Sequence, residues 1–377
     1  MKTLAWDQVN AWRLSQHCLS PRLGSHDIVE AVTHTAGIQA QVMSAAELAL
    51  WARVDGLAPR DVQSALWQDR TLVKTWMMRG ALHLISASEL PLYVAARSLY
   101  STFNWPYYFQ YYGISLELYK AYLAAAPQIL SDQPMTREQF ATAVADHLGA
   151  PELKELVLSK GWGTPLKPLA WRGDLCFGPS QGQNVTFVHP AKWLGSWQAF
   201  DPYDALQEVA RRYLIAYGPA TPEDFALWWS LGLVPARKLF QSIEDELETV
   251  EVDGWRAYAL RSTLEPIQSI ERTSSINLLP LFDAYTLGIG HARNMEPILS
   301  EAFRNQVYRP QGWISAVVLV DGCMEGVWEY KIRRSQTLVK FRMFSQPSAS
   351  VQKGIEAEAE RLGAFLNTEI ELAIKEN

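Results

Sequence analysis

The chain has 377 residues, 48% of them hydrophobic and 20% charged, with a formal net charge of −6 at pH 7. That composition is ordinary for a globular protein and excludes a disordered or fibrous chain; the length corresponds to about two to three domains. The acidic balance argues against a protein that coats nucleic acid, and no run approaches the roughly 18 apolar residues that a membrane helix needs.

The first stretch, MKTLAWDQVNAWRLSQ, turns polar by its seventh residue, so no signal peptide is expected. Cys18, Cys176 and Cys323 stand far apart, without CxxC or metal-ligand spacing. A reduced, cytoplasmic protein with no metal and no membrane partner is the expectation.

In chain order, helical patterns are expected at about 5–19, 26–36, 44–53 and 59–69, followed by strands near 71–77 and 81–85. A second set runs near 115–130, 136–148, 152–159 and 164–171, with strands near 174–178 and 185–188. A third runs at 203–217, 222–231 and 236–246, ending in the hairpin LETVEVDGWRAYAL with Asp253-Gly254 as its turn. Two signatures tie the sets together. Pro-x-Thr-x-Glu-x-Phe-Ala occurs at Pro134–Ala141 and Pro219–Ala226, where Thr136 and Thr221 are natural N-caps with Gln139 and Asp224 three residues on. Met78-Arg79-Gly80-Ala81-Leu82 and Trp171-Arg172-Gly173-Asp174-Leu175 both stand where helix gives way to strand.

Helices followed by a two-stranded wing form the winged-helix plan. The expected fold is α+β: three tandem winged helices at 1–113, 114–198 and 199–275, then an antiparallel β-rich segment and a terminal amphipathic helix at 276–377. In that last part WISAVVLV, CMEGVWEYKI and QTLVKFRMF read as strands, and VQKGIEAEAERLGAFLNTEIELAI reads as the closing helix.

Several chemical motifs fail on context. Gly178-Pro179-Ser180-Gln181-Gly182 is G-x-S-x-G by letters, but a turn and a strand follow instead of a helix, so Ser180 reads as a wing-tip residue. Gly288-Ile289-Gly290 opens no phosphate loop, and the histidines lack metal spacing. The aromatic run Phe103, Trp105, Tyr107, Tyr108, Phe109, Tyr111, Tyr112 could stack on bases, but packing between modules is the better reading. Charge is uneven: residues 199–275 carry 7 basic and 13 acidic side chains, whereas 304–342 holds Arg304, Arg309, Lys331, Arg333, Arg334, Lys340 and Arg342 against three acids.

The segment GIQAQVMSAAE at 37–47 joins two helical patterns. Gly37 reads as the residue closing the first, and Ser44 with Glu47 as a capping box opening the next. Gln39 and Gln41 then fall at alternate positions of an extended loop, with both amides on one side. By themselves, two loop glutamines are most often solvated surface.

GIQAQ at 37–41, TLVKTWMMRGALHLI at 71–85, RGDLCFGP at 172–179 and LLPLFDAYTLG at 278–288 together resemble the AlkZ/YcaQ-type winged-helix DNA glycosylases, the alkylpurine and interstrand-crosslink glycosylases, over essentially the whole chain. Gln39-Ala40-Gln41 matches that family's catalytic Gln-aliphatic-Gln motif. The resemblance implies a bacterial DNA-repair hydrolase of the nucleoid that uses no cofactor. Its partner would be double-stranded DNA with alkylated purine lesions. Gln41 would position water and Gln39 would be its partner.

A glutamine is no general base. It can hold a water and turn its carbonyl dipole toward an oxocarbenium-like sugar. An N7-alkylated purine is already cationic and leaves without a protonating acid, so two amides suit that substrate. Arg79 and His83, flanking the first wing, are expected DNA contacts, against a strand salt bridge and a satisfied histidine as competing readings. Lys331, Arg333 and Arg334, at and before a turn, are expected phosphate contacts. The rival functions are a non-catalytic winged-helix DNA-binding or regulatory protein, and a protein-interaction module without DNA.

Overall fold

A computed structural model describes residues 2–100, 105–159, 163–289, 296–333 and 336–376. Local capping chemistry sets where the repeated helices begin. Thr136 N-caps Arg137–Leu148: its Oγ1 accepts the Gln139 N–H at 3.2 Å, and Gln139 Oε1 accepts the Thr136 N–H at 2.7 Å. Ahead of Pro222–Trp229, Thr221 Oγ1 accepts the Asp224 N–H at 3.2 Å, and Asp224 Oδ2 accepts the Thr221 N–H at 2.9 Å. Each box satisfies donors that a helix start leaves open. The chain order of helices followed by a two-stranded hairpin recurs three times, with hairpins Leu72–Trp76/Leu82–Ser86, Cys176–Gln181/Asn184–Val188 and Leu247–Val252/Trp255–Leu260. No helix among the described residues is long and apolar enough to cross a membrane.

The chain forms two compact units, one of residues 63–209 and 229–232, the other of 1–62, 210–228 and 233–377. In the former, Trp76 packs on Phe177 at 4.9 Å, so the first two hairpins share a core with Phe140, Phe187 and Leu169. Met135–Thr136 adds a third strand to the second hairpin. The two matched motifs correct the expectation that both stand where helix gives way to strand: Gly80 (φ 66°) lies in the turn between the two strands of the first hairpin, whereas Gly173 (φ 76°) follows helix Lys167–Trp171 and precedes the second hairpin. What they share is a left-handed backbone that side chains disfavour. Ser180 lies near the end of its strand with a turn and Asn184–Val188 after it, as its sequence context requires.

The aromatic run divides. It forms a short helix, Trp105–Tyr111, in which Phe109 is fully buried against Tyr119 at 4.4 Å and Tyr122 at 5.9 Å. Tyr107 and Tyr111 are 68% and 77% exposed, so the expected packing holds for the phenylalanine and fails for these tyrosines. The cause is helical period: position 109 faces the opposite side from 107 and 111. Phe103 lies outside the described residues.

In the other unit the third hairpin is extended by Lys2–Leu4, which pairs in parallel with Leu247–Val252. The C-terminal sheet has five strands in the order Ile276–Leu279, Val317–Val320, Cys323–Ile332, Gln336–Met343 and Glu369–Glu376. Two expectations are corrected here. The sheet is mixed, because Glu369–Glu376 runs parallel to Gln336–Met343. The closing helix stops at Ala349–Leu366, where Asn367 takes the left-handed conformation (φ 52°) that ends helices. Beyond it, Thr368-Glu369-Ile370-Glu371-Leu372 alternates with period two, a strand signal. The helix is thus the crossover that a parallel pair requires.

Loss of either cap tests this reading of the helix starts. Thr136→Ala and Thr221→Ala should each lower unfolding free energy by about 1 kcal/mol, measured by urea denaturation.

Candidate active site

The glutamine loop begins at a tightly closed helix end. Helix Ile28–His34 is followed by Ala36 at φ 53° and Gly37 at φ 103°. The Ala36 N–H donates to Thr33 O at 3.0 Å and the Gly37 N–H to Val32 O at 2.9 Å, a Schellman closure. The left-handed C′ position therefore belongs to Ala36, one residue before the glycine the sequence suggested. From there the chain extends: Ile38 and Ala40 are 0% exposed, Gln39 is half-buried and Gln41 is exposed. The two amides thus share the side opposite the buried pair.

The next helix, Met43–Trp51, starts one residue earlier than its sequence pattern implied, with Val42 as N-cap and no side-chain cap. The expected Ser44–Glu47 box does not form. Ser44 is instead hydrogen-bonded to the Tyr330 hydroxyl, which burial pushes above its ordinary range.

Three arginines hold the other end of this helix. Arg53 Nη1 donates to Ala49 O at 2.8 Å, Arg361 Nη1 to Trp51 O at 2.7 Å, and Arg22 Nε to Ala52 O at 3.0 Å. These carbonyls have no partner within the helix and carry its negative dipole end, so cations suit them. Arg53 also makes a two-pronged pair with Asp283 at 2.7 and 2.8 Å, with both side chains 0% exposed. Burial works against the Arg53 charge, but the Asp283 carboxylate outweighs it and raises the guanidinium pKa. Arg361 stacks on the Trp51 ring at 3.9 Å, and Glu358 pairs with Arg22 at 2.8 Å.

Asp283 belongs to the LLPLFDAYTLG stretch, and that stretch is anchored again. The Tyr285 N–H donates to Asp283 Oδ1 at 2.9 Å, opening the short helix Ala284–Ile289. Gly288 lies against Tyr217, and a Cβ there would run into the ring. The Tyr217 hydroxyl donates to Thr35 O at 2.8 Å, two residues before Gly37. The LLPLFDAYTLG stretch is thus a support for the glutamine loop, reached through Arg53 on one side and Tyr217 on the other.

Beside the loop lies a cleft of about 140 Å³ lined by Val42, Ser44, Leu48, Leu281, Trp328 and Tyr330, among others. It shares Leu281, Trp328 and Glu329 with a larger groove of about 740 Å³, whose walls carry Arg309, Lys340 and Arg342. Trp313, 42% exposed, lines the groove too. The positive charges of this segment are legible in the sequence but their convergence is not: Lys340 and Arg342 stand two apart on one strand, paired with Glu329 and Val327, and Arg309 reaches the groove from the separate pair Tyr308–Arg309/Trp313–Ile314.

The other expected residues fall as follows. Lys331 is exposed near the end of Cys323–Ile332. Arg333, just past that strand, is half-exposed and pairs with Glu371 at 3.2 Å. Arg334 lies outside the described residues. Arg79, in the other unit, is half-buried at φ 53° in the turn between the first hairpin's strands. His83 departs from the expectation: it is 1% exposed, opposite Thr75, with Nδ1 3.0 Å from Ala81 O. A ring so enclosed offers no surface to DNA, and its contact with Ala81 O favours the satisfied-histidine reading.

With this geometry in place, comparison with known proteins is informative. The family model for DNA glycosylase AlkZ-like proteins matches residues 32–365, and the chain belongs to this family. An interstrand DNA cross-link repair glycosylase of Streptomyces sahachiroi is 36% identical over 330 residues, 86% of this chain and 88% of that one. The solved structure of Streptomyces sahachiroi DNA glycosylase AlkZ superposes with a TM-score of 0.87 at 34% identity, covering 100% of both chains.

The buried histidines make stability pH-dependent. Burial, with the Arg79 charge adding to it, lowers the His83 pKa to about 3. Burial, with Arg53 and Arg13 nearby, likewise lowers that of His17. An unfolded histidine takes up its proton near 6.5, so between pH 6.5 and 3 the unfolded chain binds more protons and stability falls as pH falls. At pH 5, His83 alone should remove about 2 kcal/mol relative to neutral pH. Urea midpoints at pH 7 and pH 5 should differ accordingly in the wild type and by less in His83→Gln; equal midpoint shifts would contradict this origin.

Proposed function

We propose that the chain hydrolyses the N-glycosidic bond of bulky or crosslinking N-alkylated purines in double-stranded DNA, with Gln41 positioning the water and Gln39 assisting it. The observation that carries this reading is the loop itself. Ile38 and Ala40 are buried, Gln39 and Gln41 lie on the opposite side, and Met43–Trp51 behind them is held by three arginines. Preorganised dipoles aimed at developing charge are worth most when they need not reorganise.

Residues 37–42, GIQAQV, contain no ionisable side chain. The loop can neither protonate a leaving base nor deprotonate water. It can accept and donate hydrogen bonds to one water and face a carbonyl oxygen toward an oxocarbenium-like sugar. A neutral base would leave slowly from such a site, whereas an N7-alkylpurine departs neutral from a cation. The crosslink-repair role named for the Streptomyces sahachiroi relative is in keeping with a lesion of this kind.

Lys331, Arg333 and Arg334 are proposed as phosphate contacts, joined by Arg309, Lys340 and Arg342 around the groove. The Arg333–Glu371 pair is solvent-exposed, and such pairs are weak enough for a phosphate to replace the carboxylate. Arg79 is proposed as a further DNA contact from the turn of the first wing.

On DNA carrying N7-methylguanine, Gln41→Ala should lower single-turnover base release by on the order of 10²–10³ with DNA affinity retained. Wild-type rates in the Gln39→Ala, Gln41→Ala double variant would refute the assignment. Salt-dependent DNA binding without formation of abasic sites would point to the regulatory alternative. A Lys331, Arg333, Arg334 triple alanine variant should bind less tightly and flatten the log–log salt slope by up to about 2.7. Unchanged affinity and slope, with a lowered melting temperature, would assign these residues to stability.

A further inference from the structure

The cleft beside the glutamine loop has a specific chemistry. Its volume of about 140 Å³ is close to the roughly 150 Å³ of a protein cavity that holds one benzene ring. Val42 and Ser44, one and three residues beyond Gln41, form part of its wall, so a group placed there lies next to the loop. Trp328 and Tyr330 also line it, stacked at 5.9 Å with their planes 29° apart. Both rings are fixed: Trp328 Nε1 donates to Leu279 O at 2.8 Å, and Tyr330 is hydrogen-bonded to Ser44.

The charge within the cleft's own lining has one sign. None of the residues lining the cleft is basic, Glu329 lines it, and Glu47 is near enough to act electrostatically on Tyr330. Lys340 draws on Glu329 at 3.5 Å, but that pair is exposed and therefore screened. Aromatic faces together with carboxylates favour a cation with an apolar surface over a neutral or anionic group.

We propose that this cleft is a specificity site that receives the apolar N-alkyl substituent, up to about one ring in size, of a cationic purine lesion. The inference rests on the glycosylase reading above and adds to it the size and polarity of the substituent. Substituents of ring size are held by Trp328, Tyr330 and Leu281, while a methyl group leaves the cleft mostly empty.

The test uses duplexes carrying one N7-methylguanine or one N7-(2-phenylethyl)guanine, with single-turnover release measured for the wild type and two variants. Ser44→Phe places a ring in the cleft from an exposed position and should lower the phenylethyl-to-methyl rate ratio by about tenfold or more. Leu281→Ala removes an apolar wall that holds the ring and should lower that ratio by more than about threefold. Melting curves verify that each variant is folded, and if one is not, the other decides. A ratio within about threefold of wild type in the folded variants overturns the inference even if absolute rates fall. If the wild type releases neither base, the glycosylase reading fails and takes this inference with it; if it releases both and only the ratio is unmoved, the cleft inference fails alone.

Discussion

The C-terminal end of helix Met43–Trp51 is the constraint on which the glutamine loop depends. Arg53, Arg361 and Arg22 each donate to a different carbonyl there, and they come from the helix's own continuation, the crossover helix and an earlier loop. A buried cation is tolerable only when its charge is met, and Asp283 and Glu358 meet it. Losing Asp283 alone would strand a guanidinium with no route to water, which is far more damaging than losing both partners together. One short stretch, LLPLFDAYTLG, therefore matters to the site without supplying a reacting group. Its Asp283 secures the helix that follows the loop, and its Gly288 admits Tyr217, which secures the helix that precedes it.

That rigidity has a chemical consequence. Amides cannot supply a proton, so whatever catalysis they give comes from geometry, and geometry is useful only if the loop does not yield. Alternation puts Ile38 and Ala40 in the interior as pegs and leaves Gln39 and Gln41 to face outward. A floppy loop could carry the same residues to little effect. The aromatic cleft adjoins this loop and shares part of its wall with the basic groove, next to a loop that has no acid of its own.

Much of this was legible in the sequence, and where it was, the signal was local. The capping threonines, the Asp253-Gly254 hairpin turn and the period-two alternation at residues 38–41 are each written in a few adjacent letters. The departures are of two kinds. Some arise where one period runs into another, as at Thr368–Leu372, where a strand follows Asn367 directly after the helix. Others arise from partners distant in sequence. Ser44 looks like a cap until Tyr330, nearly 300 residues later, takes its hydroxyl. His83 looks like a surface group until its strand is seen to be buried. The Arg53–Asp283 pair and the convergence of Arg309, Lys340 and Arg342 have no local signature at all, because only the fold brings them together.

On the proposed reading two amides suffice because the departing base already carries a positive charge, and substrate charge tests this directly. The measurement is single-turnover release by the wild-type protein from two duplexes identical except for the lesion, one with cationic N7-methylguanine and one with neutral O6-methylguanine. Catalysis by Gln39 and Gln41 without a general acid predicts release of the cationic base and no detectable release of the neutral one. Comparable rates on both would contradict it and require a proton donor outside the loop.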